Sequence, residues 1–93
     1  MIVSFRGKET EAVWRGDASR RLPPEIQQTA RRKLRMLNNA RNLNDLRSPP
    51  ANRLEALTRD RKGQHAIRVN DQWRICFTWT DAGPANVEIV DYH

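Results

Sequence analysis

The sequence predicts an α+β fold: an N-terminal strand, then two to three helices packed on one face of a mostly antiparallel sheet that ends in a C-terminal strand. Three observations predict it. In the first half, Ile26, Ala30, Leu34 and Leu37 recur at helical spacing and form an apolar stripe. After Pro49-Pro50 the period changes to two, most clearly where Trp73, Ile75, Phe77 and Trp79 alternate with Arg74, Cys76, Thr78 and Thr80. The extended stretches are joined by short polar turns, so they read as an antiparallel meander, and helices followed by a meander make a two-layer domain. With 93 residues, no repeat and no linker, residues 1–93 form a single domain with one modest core.

Taken in order, Ile2-Val3-Ser4-Phe5 is short and β-prone, a first strand. Glu9 to Arg15 forms a brief helix whose Ala12, Val13 and Trp14 supply apolar contact, ended by Gly16-Asp17. Pro23-Pro24 opens the clearest helix, because proline suits the first helical turn. Gln27, Gln28, Arg31, Arg32 and Arg35 lie off its apolar stripe, so this helix packs through one face and shows arginine on the other. Asn38-Asn39 stops it. Ala40, Leu43 and Leu46 then suggest a short helical piece ended by Ser48-Pro49-Pro50. Leu54 and Leu57 begin an extended stretch that runs into the charged loop Thr58 to Gly63. Next, His65, Ile67 and Val69 face one way and Ala66, Arg68 and Asn70 the other, before a turn at Asn70-Asp71-Gln72. Trp73 to Thr80 is the strongest strand. Asp81-Ala82-Gly83-Pro84 turns it into Asn86 to Val90, which runs straight into Asp91-Tyr92-His93.

The charge balance points to a partner made of phosphates. Seventeen Lys and Arg against eleven Asp and Glu give a net charge of +6 and a pI near 10.7. Arginine outnumbers lysine 14 to 3, and guanidinium suits bidentate phosphate contact and stacking on bases. Codon usage in a GC-rich genome explains such a ratio equally well, but it does not explain the net charge. No apolar run is long enough to span a bilayer and no signal-peptide core follows Met1, so the expected location is the cytoplasm, away from membranes. The lone Cys76 sits in an apolar strand pattern as a small packed side chain. Two histidines and one cysteine without metal-ligand spacing give no zinc site and no metal, and nothing in the chain calls for a cofactor.

Alternation places Arg68 and Arg74 on the faces opposite the apolar side chains, on neighbouring strands within cross-strand reach. Two ordinary surface arginines would look the same. The ending Asp91-Tyr92-His93 changes the balance, because it brings an imidazole, a phenol and a carboxylate toward the two guanidiniums. These are the parts that metal-free RNA scission asks for: a base for the 2′-hydroxyl proton, positive charge for the phosphorane, and an acid for the leaving 5′-oxygen. Arg74 and Arg68 can offset charge, His93 can act as acid or base, and Asp91 can orient it or take a proton. Tyr92 offers a ring for a base or a hydroxyl for a phosphate oxygen. A free α-carboxylate on His93 would favour imidazolium and hence an acid role. Glu55 can serve as base if it faces the same cleft, although beside Arg53 it also reads as a surface ion pair. His65 belongs to the apolar-facing set and reads as a packed histidine.

Several segments together carry a resemblance. They are Met1 to Phe5, Leu46-Arg47-Ser48-Pro49-Pro50 leading to Asn52-Arg53-Leu54-Glu55-Ala56-Leu57, the run from Gly63 to Phe77 that contains Asn70-Asp71-Gln72-Trp73-Arg74, and Val87 to His93. Over nearly its whole length the chain resembles the HigB branch of the RelE/ParE toxin superfamily, and especially the GraT-type toxins. The resemblance implies a RelE-like fold and ribosome-dependent cleavage of mRNA in the decoding site without a metal. It also implies a HigA-like helix-turn-helix antitoxin as partner, with operator DNA reached only through that antitoxin. By position, Arg74 matches the family's arginine in the Asn-x-x-Trp-Arg stretch, and Asp91, Tyr92 and His93 match its terminal catalytic triplet; Arg68 corresponds to a second arginine whose position varies among members. Where the HigB pattern has a histidine and, three residues on, a lysine, this chain has Glu55 and Thr58, so that either Glu55 or Asp91 takes the role of base or this branch cleaves slowly, as a milder toxin. Arg53, Arg59, Arg61 and Lys62 are basic groups suited to holding RNA. The missing His/Lys pair also motivates a second reading, a non-catalytic inhibitor bound to a ribosomal or assembly site. Gyrase poisoning, as in the ParE branch, fits the terminal triplet poorly.

Overall fold

The computed structural model describes residues 1–92; His93 lies outside the described residues. Two helices, α1 (Lys8–Arg15) and α2 (Pro24–Asn39), precede four strands: β1 (Glu55–Ala56), β2 (His65–Arg68), β3 (Trp73–Thr80) and β4 (Gly83–Asp91). Three 3-10 turns, Leu43–Arg47, Pro50–Asn52 and Arg59–Arg61, connect the layers. The sheet order is β1-β2-β3-β4, antiparallel throughout, which is the α+β arrangement expected. Among the described residues no helix is long and apolar enough to cross a membrane.

The helical stripe does what its spacing requires. Ile26, Ala30, Leu34 and Leu37 are buried against Ile67, Val69, Ile75, Phe77, Val87 and Ile89 of the sheet, with Val13 and Leu46 closing the core. Thr10 pins α1 to the last strand, its Oγ1 accepting from Ile89 N at 2.9 Å. Gln27 departs from the expected solvent-facing set. It is buried, and its amide donates to Ser19 O (2.9 Å) and Leu22 O (2.7 Å) while accepting from Ser19 N (3.0 Å). One side chain thereby satisfies three backbone groups of the α1–α2 loop, a tertiary role that helical periodicity does not encode.

The N-terminal segment, expected as a strand, lies beside β4 as an irregular strap rather than a full strand. A single parallel bridge joins Phe5 to Val87, supported by Val3 N to Pro84 O (2.7 Å), Val87 N to Ser4 O (3.1 Å) and Arg6 N to Val87 O (2.9 Å). The reason lies in β4. Pro84 has no N–H to offer, and the β3–β4 register slips between Cys76 and Thr78, with Asn86 at φ 53°, so β4 presents no even ladder to a neighbour. Gly83 sits beneath this strap at φ 128°, where a Cβ would fall 2.2 Å from Met1 O; only glycine fits.

Lys33 extends from α2 into the interior, 4% exposed, where its Nζ donates to Asn52 Oδ1. Asn52 is fully buried and passes the link on, donating from Nδ2 to Leu46 O at 3.2 Å. Burial, reinforced by the nearby Arg32 and Arg68 charges, holds the Lys33 ammonium below its ordinary value of 10.5. The native state therefore sheds this proton before the unfolded chain does. Between the lowered folded value and 10.5 the unfolded state binds more protons, so stability rises with pH there. Urea midpoints for wild type and Lys33→Met, compared at neutral and alkaline pH, should shift relative to each other in favour of wild type as pH rises; a pH-independent difference would contradict this.

Candidate active site on the outer sheet face

The sheet face away from the helices carries the charged residues. Cross-strand register sets two rows on it: Glu55, Ala66, Cys76 and Glu88, then Arg68, Arg74 and Val90, spaced about 7 Å apart along the strands. Ala66, Cys76 and Leu57 are buried, with Val90 packed on them, and form a small apolar floor. Burial pushes the Cys76 thiol up, so it is a neutral packing group in that floor.

Arg68 and Arg74 are directly opposite each other across β2 and β3. Like charges so placed need separate partners. Arg68 ion-pairs with Asp71. Arg74 instead points its Nη1 into the β2–β3 turn, donating to the carbonyl oxygens of Asn70 and, at 3.2 Å, of Trp73. The Arg74 guanidinium then lies over the Tyr92 ring, 5.2 Å from its centroid, within cation–π range. The same turn grips the end of the chain. Tyr92 N donates to Gln72 O at 2.6 Å, and Gln72 Nε2 donates to Asp91 Oδ2 at 3.1 Å. Asp91 is itself paired in register with Trp73.

Tyr92, 39% exposed, also walls a groove of about 500 Å³ whose other side is the segment from Glu55 to Arg61. The groove thus holds Glu55, Arg59 and Arg61 opposite the phenol. Arg61 is partly committed, contacting Glu88 at 3.4 Å and Gln64 at 3.1 Å. Arg53 caps the 3-10 turn Pro50–Asn52 in a left-handed conformation, exposed beside Leu54; Lys62 is exposed at the far end of the basic loop. Neither lines the groove. His65 faces the other way, stacked on Phe77 with ring centroids 6.3 Å apart, its Nδ1 buried without a hydrogen-bond partner among the described residues.

So the fold gathers Arg68, Arg74, Tyr92 and Glu55 on one face, whereas Asp91, in register with Trp73, belongs to the alternate side of β4 and is tied to the site through Gln72. Sequence reasoning passed over Asn70 and Gln72, which hold that assembly through turn hydrogen bonds; an asparagine opening a tight turn before the strand was the available signal.

Comparison with known proteins settles the family. Residues 3–93 match the family described as the RelE-like toxin of type II toxin-antitoxin system HigB. This chain belongs to that HigB-like toxin family. It is accordingly a toxin of a type II toxin-antitoxin system, with an antitoxin as its partner. Among its relatives is Toxin HigB-1 of Vibrio cholerae serotype O1, 40% identical over 87 residues that cover 92% of each chain. An uncharacterized protein of Haemophilus influenzae is 41% identical over 64 residues, 69% of this chain and 63% of that one. The match spans both helices and all four strands of this HigB-like toxin.

Proposed function

We propose that this HigB-like toxin is a ribosome-dependent, metal-independent mRNA endoribonuclease that arrests translation in the bacterial cytoplasm. The observation that carries this reading is the Arg74 guanidinium, fixed by two backbone carbonyls and lying over the ring of Tyr92, which walls a groove lined by the charged side chains of Glu55, Arg59, Asp60 and Arg61. A guanidinium fixed in advance stabilises developing phosphorane charge without reorganising.

In the proposed reaction the ribose 2′-oxygen attacks the adjacent phosphorus. Its proton passes to a carboxylate, either Glu55 across the groove or Asp91 beside Gln72. Arg74, with Arg68 across the ladder, offsets the added negative charge, and Tyr92 stacks against a base. The P–O5′ bond then breaks and His93 delivers the proton that the departing 5′-oxygen needs, leaving a 2′,3′-cyclic phosphate. Arg53, Arg59, Arg61 and Lys62 supply sequence-independent attraction to ribosomal RNA. The antitoxin is a HigA-like helix-turn-helix protein, and operator DNA is reached only through it.

The second reading, a non-catalytic inhibitor that occupies a ribosomal site, draws on Glu55 and Thr58 standing where the family pattern has a histidine and a lysine. Primer extension on a defined mRNA in a purified translation system, with and without ribosomes, separates the two. Nuclease action predicts ribosome-dependent breaks that His93→Ala abolishes. Translation arrest with intact mRNA, unchanged by His93→Ala, would establish the inhibitor instead.

A further inference from the structure

The β2–β3 turn does more than join two strands. Asn70 Oδ1 accepts from both Gln72 N (2.9 Å) and Trp73 N (2.8 Å), which closes the turn from inside. The Asn70 main chain is committed on both sides as well. Its N–H donates to Trp73 O at 3.3 Å, and its carbonyl oxygen takes the Arg74 Nη1 proton. Gln72, held by Asn70 Oδ1 through its N–H, presents its own carbonyl oxygen to Tyr92 N. Both halves of the Arg74–Tyr92 pair are thus hung from backbone groups whose directions one amide side chain sets.

We infer that Asn70 is a positioning residue for the proposed nuclease site, orienting the carbonyls that hold the Arg74 guanidinium against the Tyr92 ring. This inference rests on the nuclease reading for its consequence, and on the hydrogen bonds alone for its geometry. Asn70 touches no substrate in this scheme; it acts through Arg74. The acceptor oxygen, not the amide nitrogen, is the working atom, since each of its side-chain hydrogen bonds here is accepted at Oδ1. Aspartate offers the same oxygen at the same place and alanine offers none. Losing it frees the turn to relax, and a misplacement of about 1 Å at a charge-stabilising group costs up to a hundredfold in rate.

The test compares wild type, Asn70→Ala and Asn70→Asp by two independent readouts. The first is NMR: Arg74 side-chain protons lying over the Tyr92 ring are shifted upfield by its ring current in wild type, lose that shift in Asn70→Ala and keep it in Asn70→Asp. The second is single-turnover cleavage of ribosome-bound mRNA. There the maximal rate falls on the order of ten- to a hundredfold in Asn70→Ala, with the half-saturating ribosome concentration unchanged, and Asn70→Asp recovers most of it. An unchanged ring-current shift in a folded Asn70→Ala protein overturns the inference, as does loss of the shift in Asn70→Asp if Asn70→Ala does not fold. Should wild type cleave no mRNA, the nuclease reading fails while the NMR comparison still decides whether Asn70 positions Arg74.

Discussion

Arg74→Ala is expected to lower ribosome-dependent mRNA cleavage by about two to three orders of magnitude, the usual cost of deleting one fixed group that stabilises transition-state charge. The loss belongs in the maximal rate rather than in ribosome affinity, because the net charge of +6 leaves many other cations to hold RNA phosphates. Arg74→Lys should rescue little of it. An ammonium keeps the charge but lacks the planar fork that reaches the carbonyls of Asn70 and Trp73 while the guanidinium carbon stays over the Tyr92 ring. Folding should be nearly unaffected, since Arg74 caps surface carbonyls that water can also serve. Urea denaturation in parallel with single-turnover cleavage separates the two effects. A rate within a few fold of wild type in a folded Arg74→Ala protein would remove Arg74 from the chemistry.

Phe77→Ala carries the largest expected effect on stability, a loss of about 3–5 kcal/mol. Phe77 is completely buried at the centre of β3, packed among the side chains that α2 presses onto the sheet, and stacked by His65 on its open side. Removing the ring leaves a cavity that the surrounding strands and helix cannot close, because the ladders on either side fix their spacing. Domains of this size have stabilities of roughly 5–15 kcal/mol, so the variant should retain only a fraction of the wild-type midpoint in urea, and on the low side it should unfold near physiological temperature. His65 would lose its stacking partner as well. A midpoint within 1 M of wild type would show that the core repacks, contrary to the interlocked arrangement described; that threshold corresponds to about 1–3 kcal/mol for a small domain.

The residues differ in how much of this was legible beforehand. The stripe on α2 and the alternation in β2 and β3 told which side chains go inward, because burial of one face imposes a fixed period on each element. The same alternation placed Arg68 and Arg74 on a shared face. Gln27 lies off the apolar stripe and yet is buried, as is Lys33, since their partners, Ser19 with Leu22 and Asn52, come from connecting segments that periodicity does not see. The first strand was overcalled for a related reason. Ile2 to Phe5 has strand composition, but whether it pairs fully depends on the β4 edge, where Pro84 and the bulge at Asn86 limit it to one bridge.

What the sequence alone determined is therefore everything that follows from local period and chemistry: the α+β class, the core face of each element, the basic character, and the residue types gathered near the end of the chain. Tertiary structure alone decided how those groups meet. Register across β2 and β3 set Arg68 against Arg74, and the turn at Asn70 drew the Arg74 guanidinium to its carbonyl and over the Tyr92 ring. The bend of the basic loop brought Glu55 and Arg59 opposite the phenol. These contacts join separate elements of the fold and are selected by the free energy of the whole packed domain, so no local pattern of amino acids can state them.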